Sequence, residues 1–228
     1  MGKLDVRLNA SALAQSYEDK GRGYFDGADA DIVDRLPQSR DARILEIGCA
    51  RGGTGELALA RGKCRDYVGV ELHEPSAMIA RTRLSEVITG DVETMALPFE
   101  EEAFDVVVVS EVFEHLTDPW RALEKIARHL KPGGRLFASS PNVSHYRVIA
   151  QLLSGEWRLT ERGVMDRTHL RWFTPRSYAE MVEAAGFDVE EIGPLTPPAR
   201  RVRLINAATG GRFRHLFWVQ INLSARKR

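Results

Sequence analysis

Residues Arg43 to Ala60, RILEIGCARGGTGELALA, constrain the fold of this 228-residue chain more than any other stretch. An apolar, β-branched run ends at Glu46, enters a glycine-dense turn and continues as a helix. The first N–H groups of such a helix have no intrahelical partner and can face a ligand. Glycines let the turn approach that ligand without interference from a Cβ, and they are Gly48, Gly52, Gly53 and Gly55. The stretch therefore predicts a cofactor-binding turn, in which Glu46 can accept a hydrogen bond from an ammonium group.

The spacing of this turn separates two classes of cofactor. Dinucleotide sites carry G-x-G-x-x-G, whereas the order from Glu46 is E-x-G-x-A-x-G. This order resembles the first motif of class I S-adenosylmethionine (SAM)-dependent methyltransferases, [DE]-x-G-x-G-x-G, with Ala50 in place of the middle glycine. The resemblance implies that Ala50 adds a methyl group beside the methionyl part of SAM, with Cys49 as a small neighbour. Taken alone, the motif leaves NAD binding and a purely structural turn as alternatives.

Further positions of the same family follow in order. YVGVEL ends a second buried strand at Glu71, about twenty residues after the loop, where an acidic residue can accept both ribose hydroxyls. VITGDVETMALPF offers an aspartate that the resemblance places at the adenine, although a surface aspartate in a turn is an alternative. FDVVVV is a buried strand with polar residues at its C-terminal edge. The cofactor residues implied in these segments are Glu71, Leu72, Asp91, Val92, Ser110 and Glu111.

The alternation of strands and helices predicts a doubly wound, parallel α/β sheet. The predicted helical stretches are 53–62, 75–86 and 119–130. The resemblance covers roughly residues 43–187 and implies a Rossmann-like sheet of seven strands, mostly parallel, with an antiparallel last strand at 213–223. One methyltransferase domain is expected over 1–228. Its parts are an N-terminal helical cap (1–40), a SAM-binding core (41–141), a substrate lid after the fifth strand (142–174) and a C-terminal helix with strands (175–228).

Two segments around the core carry residues expected to meet the substrates. Tyr17 and Tyr24 precede the first strand and either close over the methionyl end of SAM or anchor the cap. The lid contains an amphipathic helix and ends before Thr174-Pro175, an N-cap and N1 pair. Its S-P-N-x-x-H and D-R-T-H-L-R-[FW]-F-T patterns resemble bacterial methyltransferases encoded with sugar, surface-polysaccharide or natural-product enzymes. They resemble more loosely the ubiquinone-biosynthesis O-methyltransferases and a small methionine-biosynthesis protein.

Methyl transfer to a hydroxyl needs an aligned acceptor and a base that titrates near neutral pH. Histidine fits this requirement best, and the candidates are His115, His145 and His169. His115 is also placed to shape the methionyl or acceptor pocket, and His169 is either oriented by a carboxylate or a structural residue of the lid. Asn142, Asp166 and Arg171 are the candidate substrate-binding residues.

Several patterns are absent. The strand at 104–109 is followed by S-E-V-F and not by the [DNS]-P-P-[YFW] of nucleobase N-methyltransferases, and there is no Pro-Cys nucleophile. No carboxylate cluster suggests a divalent metal, so metal independence is expected. The two cysteines match no zinc pattern, which favours a reducing cytoplasm. Neither a signal peptide nor a membrane-spanning run is evident.

The formal net charge of zero hides an uneven distribution. Residues 193–228 contain eight of the 32 basic residues and none of the 32 acidic ones, so the rest of the chain carries about minus eight. Such a basic face suits a phosphate, a nucleotide-sugar pyrophosphate or an anionic membrane. Alternatively, Arg200, Arg201 and Arg203 lie on a solvated loop and residues 226–228 form a frayed tail. Nucleic acid is not expected, because no nucleic-acid module is present.

The sequence thus predicts a cytoplasmic, SAM-dependent O-methyltransferase that acts on a small polar acceptor such as a sugar or glycosylated metabolite. The acceptor is expected to be anionic or nucleotide-linked if the basic stretch contacts it. N- or C-methylation of a natural-product intermediate is the enzymatic alternative. A SAM-binding protein that regulates another enzyme is the alternative from a different class, and a homodimer is left open.

Overall fold

Short buried strands alternate with helices in the first part of the chain, as the sequence predicts. The computed structural model describes residues 28–195, 202 and 206–228, so Tyr17 and Tyr24 lie outside the described residues. The chain divides into two compact units, Met1–Val108 and Val109–Arg228. The elements of the first unit are α1 (Ala30–Arg35), β1 (Arg43–Ile47), α2 (Gly53–Ala60), β2 (Asp66–Glu71), α3 (Glu74–Ala80) and β3 (Glu86–Thr89).

The strands of the first unit are parallel and buried. β1 pairs with β2 from Arg43 opposite Asp66 to Ile47 opposite Val70, and β2 pairs in parallel with β3. Only Arg43 in β1 and Asp66 in β2 are partly exposed, as expected for strands covered on both faces. Parallel pairing brings the carboxyl ends of β1 and β2 to one edge of the sheet.

Two glycines in this unit are explained by packing. A Cβ at Gly55 would lie 2.4 Å from Leu84 Cδ2 and 2.5 Å from Tyr67 Cδ1, and one at Gly69 would lie 2.4 Å from Cys49 Sγ. Gly55 therefore lets α2 pack closely against its neighbours. The sequence predicts that Gly55 serves the approach of a ligand, and the structure shows instead that its missing Cβ serves packing.

The second unit contains the remaining strands and helices. β4 (Phe104–Ser110) crosses the division between the units and is followed by a 3₁₀ turn, Phe113–His115. The later elements are α4 (Pro119–Ala127), β5 (Leu130–Pro141), α5 (Tyr146–Leu153), α6 (Pro175–Ala184), β6 (Phe187–Gly193), a 3₁₀ turn (Arg214–Phe217) and β7 (Gln220–Lys227).

β7 lies between β5 and β6 and runs antiparallel to both. The seven strands follow the order β3-β2-β1-β4-β5-β7-β6. This confirms the predicted mostly parallel, Rossmann-like α/β sheet with an antiparallel last strand. The prediction that the strand occupies 213–223 is wrong at both ends, because 214–217 form the 3₁₀ turn and the strand continues to Lys227.

The basic residues at 226–228 are part of this packing. Arg226 Nε donates to Glu190 Oε1 (2.8 Å), and Lys227 Nζ donates to the carbonyl of Leu130 (2.5 Å). Arg228 donates to the carbonyl of Glu183. The alternative of a frayed tail is therefore wrong, since two of these residues belong to β7. Arg200, Arg201 and Arg203 lie outside the described residues.

Two helix boundaries in the second unit were predicted from local sequence signals, one correctly and one not. The predicted start of α6 is confirmed, because Thr174 and Ser177 form a reciprocal capping box and Pro175 is at N1. The predicted end of α4 at Leu130 is wrong, since the helix ends at Ala127 and Leu130 begins β5. Within the described residues, no helix has both the length and the apolar character that crossing a membrane requires.

Candidate active site

A loop with an unusual backbone follows β1. Gly48, Ala50 and Gly52 have φ values of +74°, +48° and +78°, which are in the left-handed region. The N–H of Gly48 donates to the carbonyl of Val70 (2.8 Å), and the N–H of Gly52 to that of Cys49 (2.8 Å). The glycines have no Cβ to oppose this conformation, whereas Ala50 adopts it at an energetic cost. The loop is thus a turn of fixed shape that leads into α2.

Glu71, predicted to contact a ribose, holds this loop in place. Its Oε2 accepts from the N–H of Ala50 (2.8 Å), and its Oε1 accepts from the N–H of His73 (2.8 Å). Burial raises the pKa of the Glu71 carboxyl, and the two backbone hydrogen bonds oppose that rise. A carboxylate oxygen has two lone pairs, so each oxygen retains capacity for a hydroxyl donor.

Glu46 differs from Glu71 in lacking such support. The residue is 4% exposed, and its Oε2 has no hydrogen-bond partner among the described residues. Burial raises the pKa of the Glu46 carboxyl to about 8, the charges of Asp29 and Glu71 add to the rise, and the neighbouring Tyr67 hydroxyl opposes it. Burying an acceptor without a donor is costly. A cationic donor would compensate this carboxylate, which matches the predicted ammonium contact.

The other predicted cofactor residues of the first unit are placed as follows. Asp91 accepts from the N–H of Glu93 (2.8 Å) and the hydroxyl of Thr94 (3.1 Å) and so orders its own turn. Val92 and Cys49 are buried, and Leu72 is partly buried. Cys49 packs against the Cα of Gly69. Asp91 remains partly accessible, whereas Cys49 acts as packing in the loop.

In the second unit, Glu111 follows β4 in a strained conformation. Its φ is +54°, and its Oε1 accepts from Gln220 Nε2 (2.8 Å) and Ser139 Oγ (3.2 Å). Ser110 Oγ lies 2.9 Å from Ser139 Oγ. A residue other than glycine persists in this conformation only when its surroundings enforce it. The carboxylate of Glu111 is therefore held by side chains of the neighbouring strands β5 and β7.

Three buried side chains after β4 form what we call the Glu-His-His cluster: Glu114, His115 and His169. One ligand atom of each lies within 4.8 Å of those of the other two, and the imidazole centroids are 4.9 Å apart. Exposure is 1%, 4% and 7%, respectively. Burial and the nearby charge of Glu111 hold the pKa of the Glu114 carboxyl well above its usual range. The cluster combines two of the predicted catalytic histidines.

Backbone hydrogen bonds join the two chain segments of the cluster. The carbonyl of Glu114 accepts from the N–H groups of Leu170 (2.7 Å) and Arg171 (3.0 Å). The guanidinium of Arg171 donates to the carbonyls of Thr117 and Leu170. Arg171, predicted to bind substrate, therefore ties the segment between α5 and α6 to the turn after β4.

Asn142 and Asp166, also predicted to bind substrate, satisfy polar groups inside the protein. Asn142 is fully buried, its Nδ2 donates to the carbonyls of His215 and Trp218, and its Oδ1 accepts from Ser144. Asp166 Oδ1 accepts from the N–H (2.9 Å) and hydroxyl (2.8 Å) of Thr168. This geometry is that of structural residues.

His145 caps α5. Its Nδ1 accepts from the N–H of Arg147 (3.4 Å), and burial lowers its pKa. A neutral imidazole that accepts at Nδ1 carries its proton at Nε2. Nε2 of His145 is then a donor and not a proton acceptor.

Two residues of the second unit were not singled out from the sequence. Glu114 could have been found, because it is an acidic residue that directly precedes the candidate His115 in the short segment after β4. Gln220 carried no signal, since its contact with Glu111 joins residues 109 positions apart.

Known proteins resemble the chain in sequence and in fold. A family model described as a methyltransferase domain matches residues 22–192. The ubiquinone biosynthesis O-methyltransferase of Thiobacillus denitrificans is 29% identical over 188 residues, 78% of each chain. That of Aeromonas salmonicida is 30% identical over 169 residues, 71% of this chain and 69% of the relative. A methyltransferase solved in complex with the Trm112 methyltransferase activator of Haloferax volcanii has a TM-score of 0.64 at 22% identity, covering 95% of this chain and 96% of that one.

The residues of the first unit fit the cofactor of this family. SAM carries an ammonium group and two ribose hydroxyls, for which the unpartnered Glu46 Oε2 and the buried Glu71 carboxyl are suitable acceptors. Gly48 and Gly52 adopt the left-handed conformation that lets the loop turn tightly between these two carboxyl groups and α2. Together with the family match over residues 22–192, this shows that the chain belongs to the methyltransferase domain family and is a SAM-dependent methyltransferase.

Proposed function

We propose that this methyltransferase methylates a hydroxyl oxygen of a small polar acceptor, such as a sugar or a glycosylated intermediate. The observation that carries the proposal is the Glu-His-His cluster, which places two imidazoles and a carboxyl group in a buried position. Two relatives named O-methyltransferases support oxygen as the acceptor atom. The lid motifs, which resemble those of methyltransferases encoded with sugar enzymes, support the class of acceptor.

Cofactor binding is assigned to the first unit. Glu46 accepts from the ammonium group, Glu71 accepts from the ribose hydroxyls, and Asp91 is directed to the adenine amine. When bound, SAM supplies an electrophilic methyl group on its sulfonium centre. Glu71 also fixes Ala50 through a 2.8 Å hydrogen bond, so it shapes the loop as well as binding the ligand.

Acceptor activation is assigned to the Glu-His-His cluster. Both imidazoles place Nδ1 near a backbone carbonyl: that of Thr168 for His115 (3.2 Å) and that of Val164 for His169 (3.1 Å). A carbonyl can only accept, so Nδ1 carries the proton and Nε2 the lone pair. An oxygen lone pair of the acceptor forms the O–CH₃ bond while the C–S bond breaks and its electrons stay on sulfur. The hydroxyl proton leaves by way of the cluster.

The proposed negative charge of the acceptor is inferred from the sequence alone. The basic residues Arg200, Arg201 and Arg203 lie outside the described residues, and those at 226–228 bond within the protein. A phosphate or pyrophosphate on the acceptor therefore stays a prediction from the acid-free stretch 193–228.

Matched acceptors test the proposal. Purified protein is incubated with SAM and pairs of sugars, nucleotide sugars and phenols that differ only in a hydroxyl or an amino group. We expect release of S-adenosylhomocysteine with the hydroxyl member of a pair, and an O-methyl signal in the NMR spectrum of the product. Methylation of nitrogen or carbon would overturn the assignment.

Calorimetry tests the cofactor assignment independently of the acceptor. We expect Glu71→Ala to weaken SAM binding by roughly 1–3 kcal/mol, the usual scale for the loss of a charged hydrogen-bond acceptor. Unchanged SAM affinity in a folded Glu71→Ala protein would remove Glu71 from the site.

A further inference from the structure

The Glu-His-His cluster has the composition of a metal site. Two imidazoles and one carboxylate form a donor set found around zinc and around iron in enzymes, with further coordination positions open. The ligand atoms lie within 4.8 Å of one another, all three residues are buried, and all belong to the second unit. Bonds of about 2.0–2.2 Å would bring neighbouring ligand atoms to roughly 3.0–3.5 Å. Side-chain rotations that move each ligand atom by about 1–2 Å would bring the three atoms to the distances of a metal site.

The surroundings of both histidines point in the same direction. A metal-bound imidazole commonly donates its second N–H to a carbonyl or carboxylate, which fixes the tautomer and the ring plane. His115 and His169 both do so through Nδ1, with the carbonyls of Thr168 and Val164. Asp166 in turn holds Thr168 by two hydrogen bonds. Two backbone carbonyls, both between α5 and α6, therefore assign Nε2 as the coordinating atom in both rings.

Glu114 supplies an independent observation. Its Oε2 accepts from Ser140 Oγ (3.3 Å), whereas its Oε1, in a residue that is 1% exposed, has no hydrogen-bond partner among the described residues. A buried carboxylate oxygen without a donor is costly unless something compensates it. Glu111 lies close enough to oppose further negative charge at Glu114. A cation at the cluster would satisfy the free oxygen and offset both carboxylates.

We propose that Glu114 Oε1, His115 Nε2 and His169 Nε2 bind one divalent cation of the first transition row. A site with both nitrogen and oxygen donors suits Mn²⁺, Fe²⁺, Co²⁺ and Zn²⁺ better than a site with oxygen donors alone does. A cation at this position differs from the metal independence expected from the sequence. That expectation rested on the absence of a carboxylate cluster, and a site formed by residues 54 positions apart leaves no local pattern.

The role of the cation rests on the proposed function, whereas its binding does not. Three protein ligands leave positions at which the acceptor hydroxyl can coordinate. A coordinated hydroxyl has a lowered pKa and loses its proton to water, so neither imidazole has to take it. The oxygen then takes the methyl group, the sulfonium electrons return to sulfur, and one proton is released per turnover.

Metal binding is measured without SAM or acceptor. The full chain is treated with EDTA, dialysed, and titrated separately with Co²⁺, Mn²⁺ and Zn²⁺, with Mg²⁺ for contrast. We expect one equivalent of Co²⁺ to bind, with visible absorption of a low-symmetry site, and a thermal midpoint that rises with metal concentration. Loss of one ligand in Glu114→Gln or His169→Gln should weaken Co²⁺ binding by ~10-fold or more.

Controls keep this result distinct from misfolding and from failure of the proposed function. Glu114→Gln is nearly isosteric and puts a neutral amide in place of a buried carboxyl whose pKa is raised, so the metal-free variant should unfold no earlier than the wild type. His215→Gln changes a histidine outside the cluster and should retain wild-type Co²⁺ affinity. Absence of a one-equivalent Co²⁺ site, or equal affinity in the wild type and the cluster variants, would overturn the metal site. Such a result would leave O-methylation with the imidazoles as proton acceptors, while metal binding without O-methylation would overturn only the proposed function.

Discussion

The glycine-rich loop of the first unit and the Glu-His-His cluster of the second are built in different ways. The loop depends on backbone conformation within a few residues of β1, and Glu71 holds it from the adjacent strand. The cluster depends on His169 meeting Glu114 and His115 across more than fifty residues of chain, through two N–H donors to one carbonyl. A family motif can therefore predict the loop from the sequence, whereas the cluster forms only when the chain folds.

The buried acids of the two sites also differ in what surrounds them. Glu46 lies near two acids, Asp29 and Glu71, whose charges raise its pKa, and no imidazole contributes to that rise. Glu114 has a neighbouring acid as well, but it lies beside two imidazoles. The difference indicates that Glu46 is suited to an organic cation and Glu114 to a proton or a metal ion.

The largest expected effect separates the cluster from the other predicted histidines. Replacing His169 by Gln should lower kcat by ~10²- to 10⁴-fold, because the acceptor hydroxyl loses its activation. SAM affinity, measured by calorimetry, should be unchanged, and His215→Gln should retain wild-type kcat. A His145→Gln variant that loses as much turnover as His169→Gln would break the comparison, since His145 is not part of the cluster.

The second effect concerns the stability of the first unit. The pKa of Glu46 is about 8 in the folded chain and 4.5 in an ordinary carboxyl, so the folded state holds an extra proton between these values. The free energy of unfolding must then fall as pH rises from 4.5 to about 8. In urea unfolding without SAM at pH 5, 6.5 and 8, the free energy of unfolding of the wild type should fall by about 2–4 kcal/mol from pH 5 to pH 8, relative to that of Glu46→Gln.

The matched control for this measurement is Glu56→Gln on α2, which changes an exposed carboxyl in the same unit. It should leave the slope of stability against pH unchanged. Parallel slopes for the wild type and Glu46→Gln would show that Glu46 is not held in its neutral form.

The smallest expected effect tests the strain at Ala50. A left-handed alanine costs roughly 1–2 kcal/mol, and glycine's greater freedom in the unfolded chain costs about 0.5–1 kcal/mol. Ala50→Gly should therefore leave stability unchanged or raise it by up to about 1 kcal/mol. Ala77→Gly, in the buried face of α3, should lower stability by about 1 kcal/mol. Equal losses in the two variants by urea unfolding would show that Ala50 is unstrained.

Much of the fold follows from the sequence because its signals are local. Buried strands and the capping box at Thr174 are each encoded within a few residues. The end of α4 and the position of β7 were misjudged because they depend on tertiary packing. Leu130 is fully buried as the first residue of β5, and residues 214–217 turn before the strand begins.

The sites show the same limit. Glu46 and Glu71 were predicted as cofactor residues from the glycine-rich motif and from the end of the second strand, and the structure adds that Glu71 accepts a hydrogen bond from the loop. Asn142 and Arg171 stood out as polar residues in the lid, yet their hydrogen bonds are directed to backbone groups of the protein. A sequence shows which residues are polar, but not whether the protein itself uses their donors.

The strand order β5-β7-β6 has a consequence for synthesis on the ribosome. Among the strands of the described residues, β6 pairs only with β7, and β7 is synthesised after it, so β6 has none of these partners while the chain up to Gly193 emerges. Domains generally begin to fold from the N-terminus during synthesis, at about 5–20 residues per second. Residues 187–193 would then remain an unpaired strand until residues 220–227 leave the exit tunnel. During this time the strand could pair with a chaperone or with another nascent chain.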